Sequence, residues 1–123
     1  MAHAEDPGDL DPIQQSEHWQ LRASAAQSKA AHAYERLLSL AERSDTGQAR
    51  VIAQFLASTY NGQSFPFDLF DLRVVDVAIG DDMLACLDAL RWAKADLYKL
   101  VPDGDQRVRA VIDDWGLKWP GED

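Results

Sequence analysis

The chain has 123 residues, of which 46% are apolar and 27% are charged, a composition typical of one globular domain. Acidic residues outnumber basic ones by 21 to 12, and the formal net charge of -9 argues against direct binding of a nucleic-acid duplex through its phosphates. No apolar run approaches the roughly 20 residues of a membrane span and no signal-peptide pattern is present, so we expect a cytoplasmic protein with no membrane partner.

The amino-terminal stretch differs in composition from the rest of the chain. Residues 1–12 contain two prolines, a glycine and four acids, which predicts a flexible acidic arm. A single helical domain is then expected over residues 13–123. From Ile13 to Arg43 the chain lacks glycine and proline, which predicts a long helix with a break near Ser24 to Ser28. Its apolar stripe consists of Tyr34, Leu37, Leu38 and Ala41.

The segment SDTGQ at 44–48 interrupts this pattern and predicts the start of a second helix. Asp45 stands in the N-cap position, and Gln48 follows three residues later, as in a capping box. The turn-forming pair Asn61-Gly62 predicts where the helix ends. Its apolar face comprises Val51, Ile52, Phe55, Leu56 and Thr59.

The segment FPFDLFDL at 65–72 predicts another helix start. Pro66 favours extended backbone before it, and Asp68 follows in the N-cap position, where its carboxylate can accept hydrogen bonds from free amides. Asp71 lies near the positive end of the helix dipole. Phe67 and Leu72 occupy the two positions of a hydrophobic staple. A role in binding beyond this capping remains open.

Helical spacing continues to residue 90 and predicts a stripe that faces the core. The stripe consists of Leu69, Leu72, Val75, Ile79, Met83, Leu87 and Leu90. Gly80 costs about 1 kcal/mol inside a helix. We therefore expect either one helix that is weak at Gly80 or two helices that meet there, with Asp81 and Asp82 as caps of the second.

A final helix is predicted from 105 to 115 after the cap cluster DGD at 103–105. Gly116 followed by Leu117 predicts a Schellman end, and Trp119 is expected to pack the carboxyl-terminal tail onto the body. Nothing in the chain alternates like a strand. The predicted fold class is all-α, a compact bundle of four or five helices. The apolar face of the last helix comprises Val108, Val111, Ile112 and Trp115.

Cysteine and histidine suggest no reaction. Cys86 is the single cysteine and lies within a helical stripe, which is typical of a small buried side chain. His18 and His32 are separated by about 21 Å along a helix, too far apart to share a metal. We therefore predict no catalytic residue, no cofactor and no enzymatic activity.

Carboxylates are the dense chemical feature of the sequence. Asp68, Asp71, Asp76, Asp81 and Asp82 are the candidate partner-binding residues, and Asp88 and Asp96 follow them. On helices they would form a strip of negative potential that attracts a basic protein. Two alternatives remain open, namely a solvated face with helix caps and a carboxylate site for Ca²⁺ or Mg²⁺.

Three stretches together carry a resemblance: DTGQARVIAQFL at 45–56, FDLFDL at 67–72 and VDVAIGDDML at 75–84. They resemble an uncharacterised family of small bacterial proteins, a domain of unknown function, over roughly residues 33–115. The resemblance implies a setting on plasmids, integrative elements or prophage-like islands, where small acidic proteins often inhibit host defence, as anti-CRISPR proteins do. It implies no reaction.

The sequence therefore favours a non-enzymatic interaction protein whose acidic helical face binds the basic, nucleic-acid-binding surface of a host or defence protein. One alternative is a small DNA-associated regulator of transcription or replication with a helix-turn-helix pair. The other is a carboxylate-based metal-binding protein. A homodimer is also open, because an exposed apolar stripe would permit one.

Overall fold

The computed structural model describes residues 11–92 and 95–119, and in these ranges the chain forms four α-helices and two 3-10 helices but no strand. The α-helices are α1 (Pro12–Arg43), α2 (Gly47–Tyr60), α3 (Val77–Leu90) and α4 (Gly104–Asp114). The first 3-10 helix is Leu69–Arg73, and the second is Leu97–Leu100. The predicted all-α bundle is confirmed. The predicted arm falls mainly on residues 1–10, which lie outside the described residues.

α1 begins with a capping box. The Asp11 carboxylate accepts a hydrogen bond from the backbone N–H of Gln14 at 2.8 Å, and the Gln14 side chain accepts one from the N–H of Asp11 at 3.3 Å. Pro12 occupies the first helical turn, where no amide partner is needed. Asp11 and Pro12 therefore belong to the helix start, which corrects the predicted boundary of the arm at residue 12.

α1 is continuous over 32 residues, so the predicted break near Ser24 to Ser28 is wrong. Ser24 and Ser28 are exposed, and water can satisfy their hydroxyl groups without bending the helix. Ala26 and Ala30 are buried on the opposite side. Burial of these alanines in the core favours an uninterrupted helix across the segment.

α1 makes its most extensive contact with α3. The core residues of these two helices include several small ones: Ala26, Ala30 and Ala33 from α1, with Ala85, Cys86 and Ala89 from α3. Small side chains allow two helix axes to approach closely. At the border of this contact Arg36 forms an ion pair with Asp82 at 2.7 Å.

The N-cap of α2 is Thr46, so the predicted cap Asp45 is wrong. The Thr46 hydroxyl accepts a hydrogen bond from the N–H of Ala49 at 3.1 Å, and Asp45 is exposed. The predicted end is confirmed, because α2 stops at Tyr60 with Asn61 as its C-cap. The predicted apolar face is also confirmed, with Ile52, Phe55 and Leu56 buried.

α4 ends in the predicted Schellman motif. Gly116 has a φ of 68°, and the N–H of Leu117 donates to the carbonyl of Ile112 at 2.9 Å. The expected packing of the tail is confirmed, since the ring of Trp119 meets that of Phe65 edge to face at 4.8 Å. The α4 side chains that enter the core are Val108, Val111 and Ile112.

Arg107 joins α4 to α1 through a network of charged hydrogen bonds. Its guanidinium donates to both carboxylate oxygens of Glu35, at 2.6 and 2.7 Å, and to both of Glu42, at 2.8 and 3.0 Å. Such two-pronged geometry is the strongest that arginine forms with carboxylates. We call these three residues the Arg107 clamp.

Candidate interaction surface

The segment between α2 and α3 holds three of the five candidate aspartates, and two aromatic residues anchor it to the body. Phe65 is buried, and the ring of Phe67 meets that of Phe55 edge to face at 5.4 Å. Pro66 between them restricts the backbone to extended geometry. The chain thus emerges at Asp68 in a defined position on the surface.

The predicted helix start at Asp68 is confirmed. Its carboxylate accepts a hydrogen bond from the N–H of Phe70 at 3.0 Å, and Asp71 lies in the first turn. Phe67 and Leu72, the two expected staple residues, both pack partly buried against the core. The helix that starts here is a 3-10 helix of five residues, however, and not the beginning of a long α-helix.

Helical structure is interrupted between Arg73 and Val77, so the predicted junction near Gly80 is wrong. At the break, the side-chain oxygen of Gln48 accepts a hydrogen bond from the N–H of Asp76 at 2.6 Å. This bond ties the start of α3 to the start of α2. Gly80 instead lies in the first turn of α3, where its N–H donates to the carbonyl of Asp76 at 2.9 Å.

Because the chain changes direction at this break, the predicted core-facing stripe is only partly correct. Met83 is fully buried, but Leu69 is 67% exposed and Leu90 is 45% exposed. Phe70 and Val74 are also exposed, at 70% and 59%. The remaining stripe residues are partly buried: Leu72, Val75, Ile79 and Leu87.

The exposed apolar residues alternate with charges in a patch that we call the connector surface. It comprises Asp68, Leu69, Phe70, Asp71, Arg73, Val74 and Asp76. Within it the guanidinium of Arg73 lies 5.7 Å from the centre of the Phe70 ring, as in a cation–π contact. Clustered exposed apolar side chains on a small protein are typical of a binding surface.

Four of the five candidate aspartates line two separate surface hollows. Asp68 and Asp71 line a hollow of about 310 Å³ beside Lys118. Asp81 and Asp82 line a larger one, of about 600 Å³, between α1 and α3. Asp76 lines neither of these two hollows. The carboxylates therefore do not converge on one pocket, which favours an extended contact over a compact ligand site.

Asp82 differs from the other four candidates because its carboxylate is already paired. It accepts hydrogen bonds from Arg36 at 2.7 and 3.0 Å, and its side chain is only 16% exposed. Hydrogen bonding to Asp82 raises the pKa of Arg36. Asp82 therefore stabilises the contact between α1 and α3 more than it presents charge to a partner.

α3 exposes a second set of apolar side chains to solvent. The sequence analysis did not identify these residues as candidates for partner binding. Val77 is 80% exposed and Leu84 is 55% exposed. With Asp81 and Asp88 they form the α3 stripe, defined by these four residues. Their spacing of four, three and four residues was a usable signal, because it marks one side of a helix. This signal was missed because the apolar pattern on the side of the helix that includes Met83 is stronger.

Of the other side chains with reactive chemistry, Cys86 is not available at the surface, whereas His18 is half-buried and His32 is exposed. Cys86 is fully buried, and burial raises the pKa of its thiol to about 12. His18 packs against the ring of Trp19 at 5.2 Å. The described part of the chain contains no group of three or more histidine, cysteine, aspartate or glutamate residues that could hold a metal ion.

Residues 11–92 and 95–119 also contain no helix with both the length and the apolar character that crossing a membrane requires.

Residues 31–116 match the model of a family of unknown function, DUF7673. No curated protein and no solved structure matches the chain. The matched range begins inside α1 and includes α2, the connector surface, α3 and α4. It agrees with the resemblance seen in the three sequence stretches. The chain belongs to this family of unknown function, DUF7673.

Proposed function

We propose that this chain is a non-enzymatic interaction protein that binds the basic, nucleic-acid-binding surface of another protein in the cytoplasm. The observation that carries the proposal is the connector surface, where Leu69, Phe70 and Val74 are all more than half exposed between carboxylates. A solvated acidic face needs no large apolar side chains. A protein interface needs them at its centre, surrounded by polar groups.

The apolar side chains of the connector surface supply the affinity in this proposal. Burying a leucine, valine or phenylalanine side chain contributes about 1.5–3 kcal/mol each when water is fully removed. Phe70 is the most exposed of the three and already carries Arg73 on its ring. Aromatic residues and arginine are the types that most often dominate binding energy at interfaces.

The carboxylates supply the direction and speed of encounter. Asp68, Asp71 and Asp76 flank the apolar residues along the chain, and the whole chain has a formal charge of -9. Such a field repels nucleic acid and attracts the surfaces that bind nucleic acid. The partner in this proposal is a host or defence protein, and an anti-CRISPR-type inhibitor encoded on a mobile element is one example of the function.

Affinity capture from nuclease-treated bacterial lysate tests the proposal, with captured proteins identified by mass spectrometry over a salt series. The test variant is D71N/D76N, whose two carboxylates accept no hydrogen bond within the described residues. The matched control is D113N/D114N, which removes the same charge from exposed positions of α4. A third variant, F70S/V74S, removes the apolar contacts without changing the charge.

The expected result is an identified nucleic-acid-binding protein that added duplex nucleic acid displaces. Its capture should fall at moderate salt, weaken in D71N/D76N and F70S/V74S, and persist in D113N/D114N. The proposal is wrong if all variants capture the same proteins as the native chain. Direct binding of the purified chain to duplex DNA at physiological salt would instead favour a DNA-associated regulator.

A further inference from the structure

The outward side of α3 has a regular pattern that the connector surface lacks. Val77, Asp81, Leu84 and Asp88 fall within an arc of about 60° around the helix axis. Val77 and Leu84 are 80% and 55% exposed, and the side chain of Asp88 is 46% exposed. Met83 on another side of the same helix is completely buried. The described part of the chain thus leaves this side of α3 uncovered.

The spacing along the stripe matches that of a helix-to-helix contact. Val77 and Leu84 are seven residues apart, about 10.5 Å along the axis, which is two helical turns. Asp81 and Asp88 repeat with the same period. A neighbouring helix with apolar residues every three or four positions can place them around Val77 and Leu84. A flat or irregular partner surface would not match this period along its length.

The charges along the stripe determine what kind of helix fits. Asp81 carries no ion pair within the described residues, whereas Asp88 is paired with Arg91 at 2.7 Å. Asp76 adds a further carboxylate just before the first turn of the helix. Arg36 and Arg43 line the same hollow as Asp81, but Arg36 is already paired with Asp82, so the Asp81 carboxylate remains available to a cation of the partner. A partner helix therefore requires lysine or arginine beside its apolar residues, facing Asp81.

We propose that the α3 stripe binds a basic amphipathic helix, with Val77 and Leu84 as its two apolar anchors. This inference rests on the proposed function and specifies the element of the partner that contacts α3. The binding mode is that of two amphipathic helices that bury their apolar faces together. Charge complementarity at Asp81 sets the preference for a basic helix over an acidic one.

A synthetic peptide of 14 residues, built from leucine and lysine with leucine at heptad positions a and d, is a defined probe for this site. The full-length chain, labelled with ¹⁵N, is titrated with the peptide, and amide shifts locate the contact. We expect the largest shifts between Val77 and Arg91. We also expect the affinity to fall at least about tenfold in V77S/L84S, because two apolar anchors are lost.

Matched controls separate a specific contact from general attraction to an acidic protein. I13S/L21S removes two apolar side chains of α1 that are each 73% exposed, and its affinity for the peptide should stay within about twofold of that of the native chain. D81N/D88N should weaken binding and reduce its salt dependence more than D113N/D114N does. All of these side chains are exposed or half exposed, so the variants should retain the native far-UV spectrum.

The outcomes of this titration are independent of the capture experiment with D71N/D76N. If the peptide does not bind, or V77S/L84S binds it as tightly as the native chain, the assignment to α3 is wrong. Shifts confined to residues 69–74 would also overturn it. Such results would not decide the proposed function, which the capture experiment tests separately. If D71N/D76N and F70S/V74S leave capture unchanged while the peptide still binds along α3, the proposed function fails and the helix-binding stripe stands.

Discussion

Two glycines in helices of this protein have different surroundings. A Cβ atom on Gly104 would overlap the carbonyl oxygen of Tyr98 and lie 2.7 Å from its carbonyl carbon. A Cβ atom on Gly80 would meet only the Val75 side chain, at the ordinary contact distance of 3.9 Å. Gly104 is therefore required for the close approach of α4 to the second 3-10 helix. Gly80 has no comparable packing role.

Gly104→Ala should destabilise the fold by about 3 kcal/mol or more, because the clash is with backbone that cannot rotate away. Gly80→Ala should be neutral or stabilise by up to about 1 kcal/mol, because alanine is the better helix former. Urea unfolding monitored by far-UV circular dichroism measures both. A fully stable Gly104→Ala protein would contradict the packing described between α4 and Tyr98.

The contact between α1 and α3 depends on the small size of its side chains. Ala30 and Ala33 are completely buried, and Ala89 of α3 is 7% exposed. Alanine contributes little apolar area by itself, but it allows the two helices to approach until larger neighbours such as Met83 make contact. The position of α3, and with it the orientation of the α3 stripe, follows from this close approach.

Ala30→Leu should destabilise the protein by about 1–3 kcal/mol, because the larger side chain has no space between the helices. Ala25→Leu is the matched control, since Ala25 is exposed on the same helix and leucine has nearly the same helix propensity. Thermal unfolding followed by circular dichroism distinguishes the two. Equal melting temperatures would show that the contact around Ala30 is looser than described.

The Arg107 clamp connects α4 to α1 near the surface. The side chain of Arg107 is 22% exposed and that of Glu35 is 43% exposed, so solvent screens part of the attraction between them. Hydrogen bonding from Arg107 lowers the pKa of Glu35 below its ordinary value of 4.5. A carboxylate whose pKa is lower in the folded state stabilises the fold at pH values above its unfolded pKa.

This stabilisation should be complete above about pH 4.5 and should disappear as the pH falls through the lower folded pKa of Glu35. Glu35→Gln should therefore reduce the loss of unfolding free energy between pH 5 and pH 3. Glu17→Gln, which removes a charge from an exposed position of α1, should leave that loss close to native. Urea unfolding at several pH values measures the difference. Identical acid profiles for the native chain and Glu35→Gln would contradict a stabilising clamp.

All four α-helices and the second 3-10 helix contribute to one hydrophobic core, and Cys86 lies inside it. The thiol is fully buried, and burial raises its pKa to about 12, so it is protonated and shielded at neutral pH. A reagent can reach Cys86 only when the surrounding helices separate. Labelling of this single cysteine therefore reports on the opening of the core.

Ellman's reagent at pH 8 should label Cys86 at least about a hundredfold more slowly in the native protein than in urea, because labelling requires opening. Gly104→Ala should accelerate native labelling in proportion to its loss of stability. D113N/D114N, which changes only exposed residues, should leave the labelling rate unchanged. Rapid labelling of the native chain would show that the environment of Cys86 is open to solvent.

Features that depend on a few neighbouring residues were predictable from the sequence. The Schellman end at Gly116, the end of α2 at Asn61 and the N-cap at Asp68 each require only local backbone geometry and one suitable side chain. The all-α class and the buried faces of α2 and α4 follow from apolar periodicity. Membership of the family was recognisable for the same reason, because its characteristic stretches are local.

Features that depend on distant residues were decided by tertiary structure alone. The hydrogen bond from Asp76 to Gln48 joins residues 28 positions apart and divides the expected long helix into a 3-10 helix and α3. That division turns Leu69 to solvent, although its spacing resembles that of a core residue. Periodicity specifies which side chains share a face but not which face another element covers. The exposed connector surface and α3 stripe therefore appear only once the helices are packed together.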